Sequence, residues 1–308
     1  MRNIISLLRQ SLVSYYDTDE LQTITKAICC ELLRIDEYAF YLREPVTLTD
    51  EQTIILTDAI RRLRQGEPLQ YILGTAPFAG LTLHVDGRVL IPRPETAGLI
   101  EAALAVCRRP LTKRVTVGAE TPTEKGNTKI LDLGTGSGCI AIALAKEMTD
   151  AVIFACDISD DALKVAYTNA EANGADVHFF QADMLSAANA APSSLSPLSA
   201  DGQGASLLIS NPPYIRHTEK SMMEDHVTLW EPSTALFVPD DDPLLFYRAI
   251  AQIGLTDILR ADGHIAVEIN SAFGFETATL FEHYGYVDVH ILPDIFGKDR
   301  YVTCHKLR

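Results

Sequence analysis

The sequence predicts a doubly wound α/β domain on a seven-stranded sheet, preceded by a small N-terminal helical domain and a β-hairpin connector. Three observations predict it. Strand-like and helix-like runs alternate from Lys129 to the end; a glycine-rich turn, Gly134-Thr135-Gly136-Ser137-Gly138, follows the first of those strands; and residues 1 to about 75 carry helical periodicity throughout. The domains are placed at 1–75 (helical), 76–95 (hairpin and linker) and 96–308 (α/β).

In chain order, Leu21, Ile24, Ile28 and Leu32 recur at three- and four-residue intervals after the cap candidates Asp17 and Thr18. A second helix opens with the capping box Thr49-x-x-Gln52, carries Ile55, Ala59 and Leu63 on one face, and stops at Gly66. This helical domain either holds a partner or caps the fold. Leu81, Leu83 and Val85, then Asp86-Gly87, then Val89 and Ile91 read as a hairpin with a two-residue turn. Pro92-Arg93-Pro94 makes a stiff connector into a helix around Thr96–Cys107, with Arg93 read as an interdomain ion-pair partner in preference to a contact with the substrate backbone. The seven strands are Lys129–Leu133, Ala151–Cys156, Val177–Gln181, Ser206–Ser210, His264–Ile269, Val287–Leu292 and Tyr301–His305. Helices Cys139–Met148, Ser159–Asn173 and Pro243–Leu259 lie between them. The connection between the last two strands is too short for a crossover helix, so they pair antiparallel at one edge. Pro110–Asn127 and Ser186–Gly204 are polar, turn-rich tracts expected as surface loops.

Composition removes several function classes. Apolar stretches such as Ile140–Ala145 fall far short of the roughly 20 residues a membrane helix needs, and the N-terminus reads as an amphipathic helix rather than a signal peptide. A soluble protein is expected, with no membrane partner. The six cysteines show no C-x-x-C pair and no zinc-ligand rhythm, which suits buried thiols in a reducing cytoplasm. With 26 basic against 41 acidic residues, the net charge of −15 disfavours bulk nucleic acid as the substrate.

Glycines between a strand and a helix let the backbone approach a ligand, while the helix N-terminus supplies free N–H groups. Two cofactor classes use such a turn. The dinucleotide fingerprint is G-x-G-x-x-G/A, but here the third glycine falls one residue early and Cys139 takes its place. The G-x-G-x-G spacing suits a nucleoside cofactor without a pyrophosphate, as S-adenosylmethionine is. Asp157 ends the second strand 19 residues past Gly138, where a carboxylate can accept from both ribose hydroxyls; a helix N-cap is the competing reading. At the third strand's end, Asp183 can take an adenine amino group and Met184 can pack on the purine.

The fourth strand runs into Asn211-Pro212-Pro213-Tyr214, at the carboxyl edge where open α/β sheets bind ligands. Two prolines fix the backbone and remove N–H donors, leaving carbonyls as acceptors. The Asn211 side-chain oxygen and the Pro212 carbonyl can receive both hydrogens of a planar NH2 group, with the Tyr214 ring against its face. Held so, the poorly nucleophilic nitrogen aims its lone pair at an electrophilic methyl. The competing reading is a strand-ending turn. His217 and His226 read as ordinary loop residues.

The Asn-Pro-Pro-Tyr tetrapeptide resembles the signature of S-adenosylmethionine-dependent amino-methyltransferases. Combined with Gly66–Gly74, Val89–Thr96, Asp132–Ile140, Asn211–Ile215, Glu231-Pro232 and Gly297–Arg300, it identifies a resemblance to the peptide chain release factor glutamine methyltransferases (the PrmC/HemK family) over nearly the whole chain. The sequence departs from that pattern in three places. Met184 stands where an aromatic residue is usual, Ser186–Gly204 looks inserted, and Glu268-Ile269-Asn270 with Phe273-Gly274 lacks the usual Gly and Gln-Gly.

The resemblance implies a class I, Rossmann-like methyltransferase domain. Its reaction is N-methylation of the glutamine side chain in the Gly-Gly-Gln motif of class I release factors, with S-adenosylhomocysteine as product and no metal. It implies cofactor binding by Gly134, Thr135, Gly136, Ser137, Gly138, Asp157, Asp183, Met184 and Asn211. Substrate would be held by Asn211, Pro212, Pro213 and Tyr214, of which Asn211, Pro212 and Tyr214 carry the catalysis. The partner is a protein with basic regions, suited to an acidic surface. Rival readings are an adenine-N6 DNA methyltransferase, a non-catalytic release-factor adaptor and a nicotinamide dehydrogenase.

Overall fold

The computed structural model describes residues 1–108, 128–189, 195, 198 and 203–307. The tract Pro110–Asn127 lies outside the described residues, as does most of Ser186–Gly204.

The chain opens with α1 (Arg2–Leu12), α2 (Thr18–Ala27), α3 (Glu37–Leu42), α4 (Asp50–Arg64) and α5 (Leu69–Leu73). Asp17 caps α2 by accepting from the Asp19 and Glu20 N–H groups, and both halves of the Thr49/Gln52 capping box form at α4. The apolar faces of α1, α2 and α4 close on one core that includes Leu8, Ile24, Ala59 and Leu63. One expected core position shifts. Ile28–Leu32 winds as a π-helical turn, whose extra residue advances the register, so Leu33 rather than Leu32 is buried.

The hairpin also lies upstream of its expected place. Strand β1 (Thr75–Phe78) pairs antiparallel with β2 (Leu81–His84) across Ala79-Gly80. Asp86-Gly87 closes a separate turn instead, because the Asp86 carboxylate accepts from the Arg88 backbone N–H and guanidinium and its carbonyl from the Val89 N–H. Val89 and Ile91 then pack inward with Tyr71, Val85 and Ala162 rather than pairing as a strand.

After α6 (Thr96–Arg108), the main elements alternate as β3 (Thr128–Leu133), α7 (Cys139–Glu147), β4 (Ala151–Asp157), α8 (Asp160–Asn173), β5 (Val177–Gln181), α9 (Met184–Asn189) and β6 (Ala205–Ser210). A smaller segment follows with β7 (Ile215–Arg216), α10 (Asp225–Trp230), α11 (Ser233–Leu236) and β8 (Phe237–Val238), in which β7 and β8 pair parallel. The domain ends with α12 (Leu245–Leu255), β9 (Leu259–Glu268), α13 (Gly274–His283), β10 (Tyr286–Pro293) and β11 (Asp299–Lys306). Helix α9 occupies the start of the expected loop at Ser186. Helix α12 stops four residues before Leu259 because Thr256 turns the chain, its hydroxyl donating to the Ile253 carbonyl and accepting from the Ile258 N–H.

The seven-stranded sheet has the order β10-β11-β9-β6-β3-β4-β5. The last two strands pair antiparallel as expected, with β11 inserted between β10 and β9 and antiparallel to both. The order of strand addition reverses between β3 and β6, which run parallel, and this makes their carboxyl ends the switch point. There the Ser210 hydroxyl donates to the Leu133 carbonyl at 2.6 Å, locking the tips of β3 and β6 together.

A fully buried Asn169 on α8 joins hairpin and sheet. Its amide donates to the His84 and Ser137 carbonyls at 3.0 and 2.9 Å, and its oxygen accepts the His84 N–H at 2.6 Å. Asn169→Leu strands these buried groups, at a cost of about 3 kcal/mol. Urea unfolding should show the loss as a lowered midpoint; an unchanged midpoint would contradict the joint.

Candidate active site

The β3 strand delivers the chain into Gly134–Gly138 at the switch point. Gly134 and Thr135 N–H groups both donate to the Cys156 carbonyl, which bends the loop across the tip of β4. Gly134 and Gly136 have φ of +76° and +54°, the left-handed region that glycine alone enters without strain. A Cβ on Gly136 would meet nothing within 4 Å, so this backbone faces open space. Ser137 and Gly138 do not line the cleft. The Ser137 carbonyl is held by Asn169, and Gly138 packs against Ile142 and Ala166.

Asp157 stands at the tip of β4. Its two oxygens accept the N–H groups of Gly136 and Ser159, both at 2.9 Å, tying the loop to the strand tip. Burial pushes its carboxyl above the ordinary range while these backbone N–H groups pull it down. Ser159, not Asp157, caps α8. A carboxylate offers about four acceptor sites, so the backbone N–H groups leave capacity for a hydroxyl donor.

These residues line a cleft of about 540 Å3 with Ile158, Met184, Asn211, Pro213 and Phe246. Ile158, 59% exposed beside Asp157, is an apolar platform missed in the sequence. Its signal was a large aliphatic side chain directly after a strand-tip acid. Met184 reaches the same cleft and lies against Gly134. Asp183 also lines it, but its oxygens already accept the Leu185 N–H at 2.9 Å and the Ser186 hydroxyl at 2.6 Å, the bonds that begin α9. A glycine cradle, a strand-tip carboxylate and an apolar slot fit a nucleoside ligand.

Below the loop, Asp132 is fully buried and accepts the Thr135 hydroxyl at 2.6 Å. Burial pushes its carboxyl up to about 7 from 3.8. The folded protein therefore keeps a proton that the unfolded chain releases, and this stabilisation is lost as pH rises through about 7. Between pH 5 and 8 the wild-type thermal midpoint should fall more than that of Asp132→Asn; parallel curves would contradict the assignment.

A second cleft of about 430 Å3 is lined by Pro212, Tyr214, Ile215, Met223, His226 and Leu236. Asn211, Leu90, Arg93 and Ala235 line both clefts, so Asn211 forms part of the wall between them. The structure places Pro213 on the first cleft, and Pro212 and Tyr214 on the second. Arg93 pairs with Glu231 at 2.6 Å, and Glu231 also accepts the Ile91 N–H, so the connector is bound to the segment walling the second cleft.

The Asn211 side chain donates its Nδ2 to the Thr96 Oγ1 at 3.1 Å. Thr96 donates to one oxygen of buried Glu268 at 2.8 Å, and the Tyr214 hydroxyl donates to the other at 3.0 Å. Burial pushes the Tyr214 hydroxyl far up, so it stays protonated as a donor. Thr96 and Glu268 were not among the site residues read from the sequence; a carboxylate directly after the apolar run Ile265-Ala266-Val267 was the available signal.

Comparison with known proteins identifies the family of the whole chain. The PrmC N-terminal domain model matches residues 4–74, and the methyltransferase small domain model matches residues 119–228. A release factor glutamine methyltransferase of Bacteroides thetaiotaomicron is 41% identical over 99% of this chain and 100% of its own length. One from Flavobacterium psychrophilum is 34% identical over 98% of each chain. Among solved structures, the hMettl16 catalytic domain in complex with MAT2A 3'UTR hairpin 1 aligns with a TM-score of 0.54 at 14% identity, covering 87% of this chain and 85% of that one; this likeness concerns the fold alone. The fold is that of the class I S-adenosylmethionine-dependent methyltransferases. The chain belongs to the release factor glutamine methyltransferase family.

Proposed function

We propose that this enzyme methylates the side-chain amide nitrogen of the glutamine in the Gly-Gly-Gln motif of class I release factors. The observation that carries the reading is the position of Asn211 in the wall between a nucleoside-shaped cleft and a second cleft lined by Pro212 and Tyr214. The names of the full-length relatives support the same substrate.

In this reading Gly134, Thr135 and Gly136 cradle S-adenosylmethionine, Asp157 accepts its ribose hydroxyls, and Ile158 and Met184 enclose the adenine. Asp183, already engaged at the start of α9, contributes to the adenine's surroundings through its remaining acceptor capacity. When bound, the cofactor supplies an electrophilic methyl carbon on a sulfonium. Asn211 Oδ1 and the Pro212 carbonyl each accept one hydrogen of the glutamine NH2, which turns the nitrogen towards the first cleft. The Tyr214 ring packs on the carboxamide plane, and Pro213 stiffens the wall. The nitrogen's surplus proton stays in a hydrogen bond to these oxygens until it passes to water. Orientation is worth up to about 7–11 kcal/mol in well-aligned reactions, and it is the main contribution these residues make.

Incubation with purified release factor and S-adenosylmethionine, followed by mass mapping, should place one methyl group on the Gly-Gly-Gln peptide. Methyl incorporation into duplex DNA with no change in that peptide would replace this reading with adenine methylation.

A further inference from the structure

We infer that Thr96, held by Glu268, is a positioning residue that sets which end of the Asn211 carboxamide faces the substrate. The inference rests on the function proposed above and deepens it.

It follows from counting hydrogens. The oxygen and nitrogen of an asparagine side chain are close to isosteric, so its orientation is decided by its partners. Thr96 has one hydroxyl hydrogen. Burial raises the Glu268 carboxyl above its ordinary range, while the Thr96 and Tyr214 hydroxyls and the nearby Arg300 charge pull it back. As a carboxylate it has no hydrogen to give and accepts from both hydroxyls, at 2.8 and 3.0 Å. Thr96 therefore spends its hydrogen on Glu268 and presents only a lone pair to Asn211. That lone pair takes an N–H of Asn211 Nδ2 at 3.1 Å, so Oδ1 is the other end, and no described residue donates to it. Were the amide reversed, its oxygen would face the Thr96 oxygen with no hydrogen between them, and an NH2 would confront the substrate's NH2. Two donors face to face cannot hold a glutamine.

The chain of bonds is buried and bracing. Thr96 and Glu268 are nearly inaccessible to water, and Thr96 begins α6 while Glu268 ends β9. Asn270, two residues beyond Glu268, donates to the Tyr214 carbonyl at 3.2 Å, so one strand end braces the loop through both its side chain and its backbone. The segment Glu268-Ile269-Asn270, which departs from the family pattern, thus holds the tetrapeptide in place.

The test compares wild type, Thr96→Val and Thr96→Ser in steady-state methyl transfer to intact release factor, with calorimetric affinity for S-adenosylmethionine measured on each. Valine keeps the shape but removes the hydroxyl, so both amide orientations become open. We expect kcat to fall roughly ten- to a hundredfold. KM for the release factor should hold within about threefold, because a large protein substrate binds through much more than one amide. Serine should restore kcat. A Thr96→Val enzyme with wild-type kcat overturns the inference. So does a loss that serine fails to restore, or one matched by an equal loss of cofactor affinity, since either indicates a packing role. A wild-type enzyme that leaves release factor unmethylated overturns the function itself and this inference with it.

Discussion

Asn211→Ala should lower kcat for methyl transfer by roughly a thousandfold while leaving affinity for S-adenosylmethionine within about threefold of wild type. The asymmetry follows from where the side chain stands. Asn211 lines both clefts, but Gly134–Gly136, Asp157, Ile158 and Met184 of the first cleft are left intact by the substitution. In the proposed reading, alanine removes the acceptor for one of the two amide hydrogens. The glutamine nitrogen is then free to rotate, and its lone pair no longer lies on the line of attack. Isothermal calorimetry and a radiolabel transfer assay separate the two effects. Equal losses in both would show that Asn211 serves the cofactor rather than the substrate.

Asp157→Ala does the reverse. Its carboxylate is a charged acceptor at the tip of β4, and it also holds the Gly136 N–H that keeps the glycine loop against the strand. Removing hydrogen bonds from a charged group to two hydroxyls costs about 2–4 kcal/mol, or roughly 30- to 1,000-fold in Kd. At saturating cofactor, kcat should recover most of its wild-type value, because Asn211 and Pro212 are untouched. Calorimetry gives the answer directly: an unchanged Kd would refute the ribose assignment.

The parts of the site that were legible in the sequence are those whose chemistry is local. The glycine spacing, Asp157 at a strand tip and Asn211-Pro212-Pro213-Tyr214 each carry their meaning within a few residues, and the structure brings Gly134, Asp157 and Asn211 to one edge of the sheet. Thr96 and Glu268 were not legible because their roles arise only in three dimensions. Thr96 reaches Asn211 across 115 residues of sequence and Glu268 across 172. Asp183 shows the opposite difficulty. Its position after a strand suggested a base contact, while its immediate neighbours Leu185 and Ser186 use its oxygens to start a helix.

The fold was legible to the same degree for the same reason. All seven strands of the main sheet were placed: central β3 and β6 are buried on both faces and read as near-continuous apolar runs, whereas edge strands β5 and β10 mix half-buried with exposed positions. The hairpin was misplaced because Asp86-Gly87 carries the stronger turn signal, whereas the real turn uses Ala79, a residue at φ +46° that sequence preference would not put there. The shift of burial from Leu32 to Leu33 comes from a π-helical turn, which a fixed period of 3.6 does not register.

The central claim is that Asn211 and Pro212 present two oxygens to one flat NH2 group at the wall between the clefts. A crystal structure of the enzyme with S-adenosylhomocysteine and a Gly-Gly-Gln peptide tests it most directly. The account predicts the glutamine nitrogen about 3 Å from both Asn211 Oδ1 and the Pro212 carbonyl, with its remaining face towards the sulfur. A glutamine bound elsewhere, or an Asn211 carboxamide turned with its NH2 to the peptide, would contradict it.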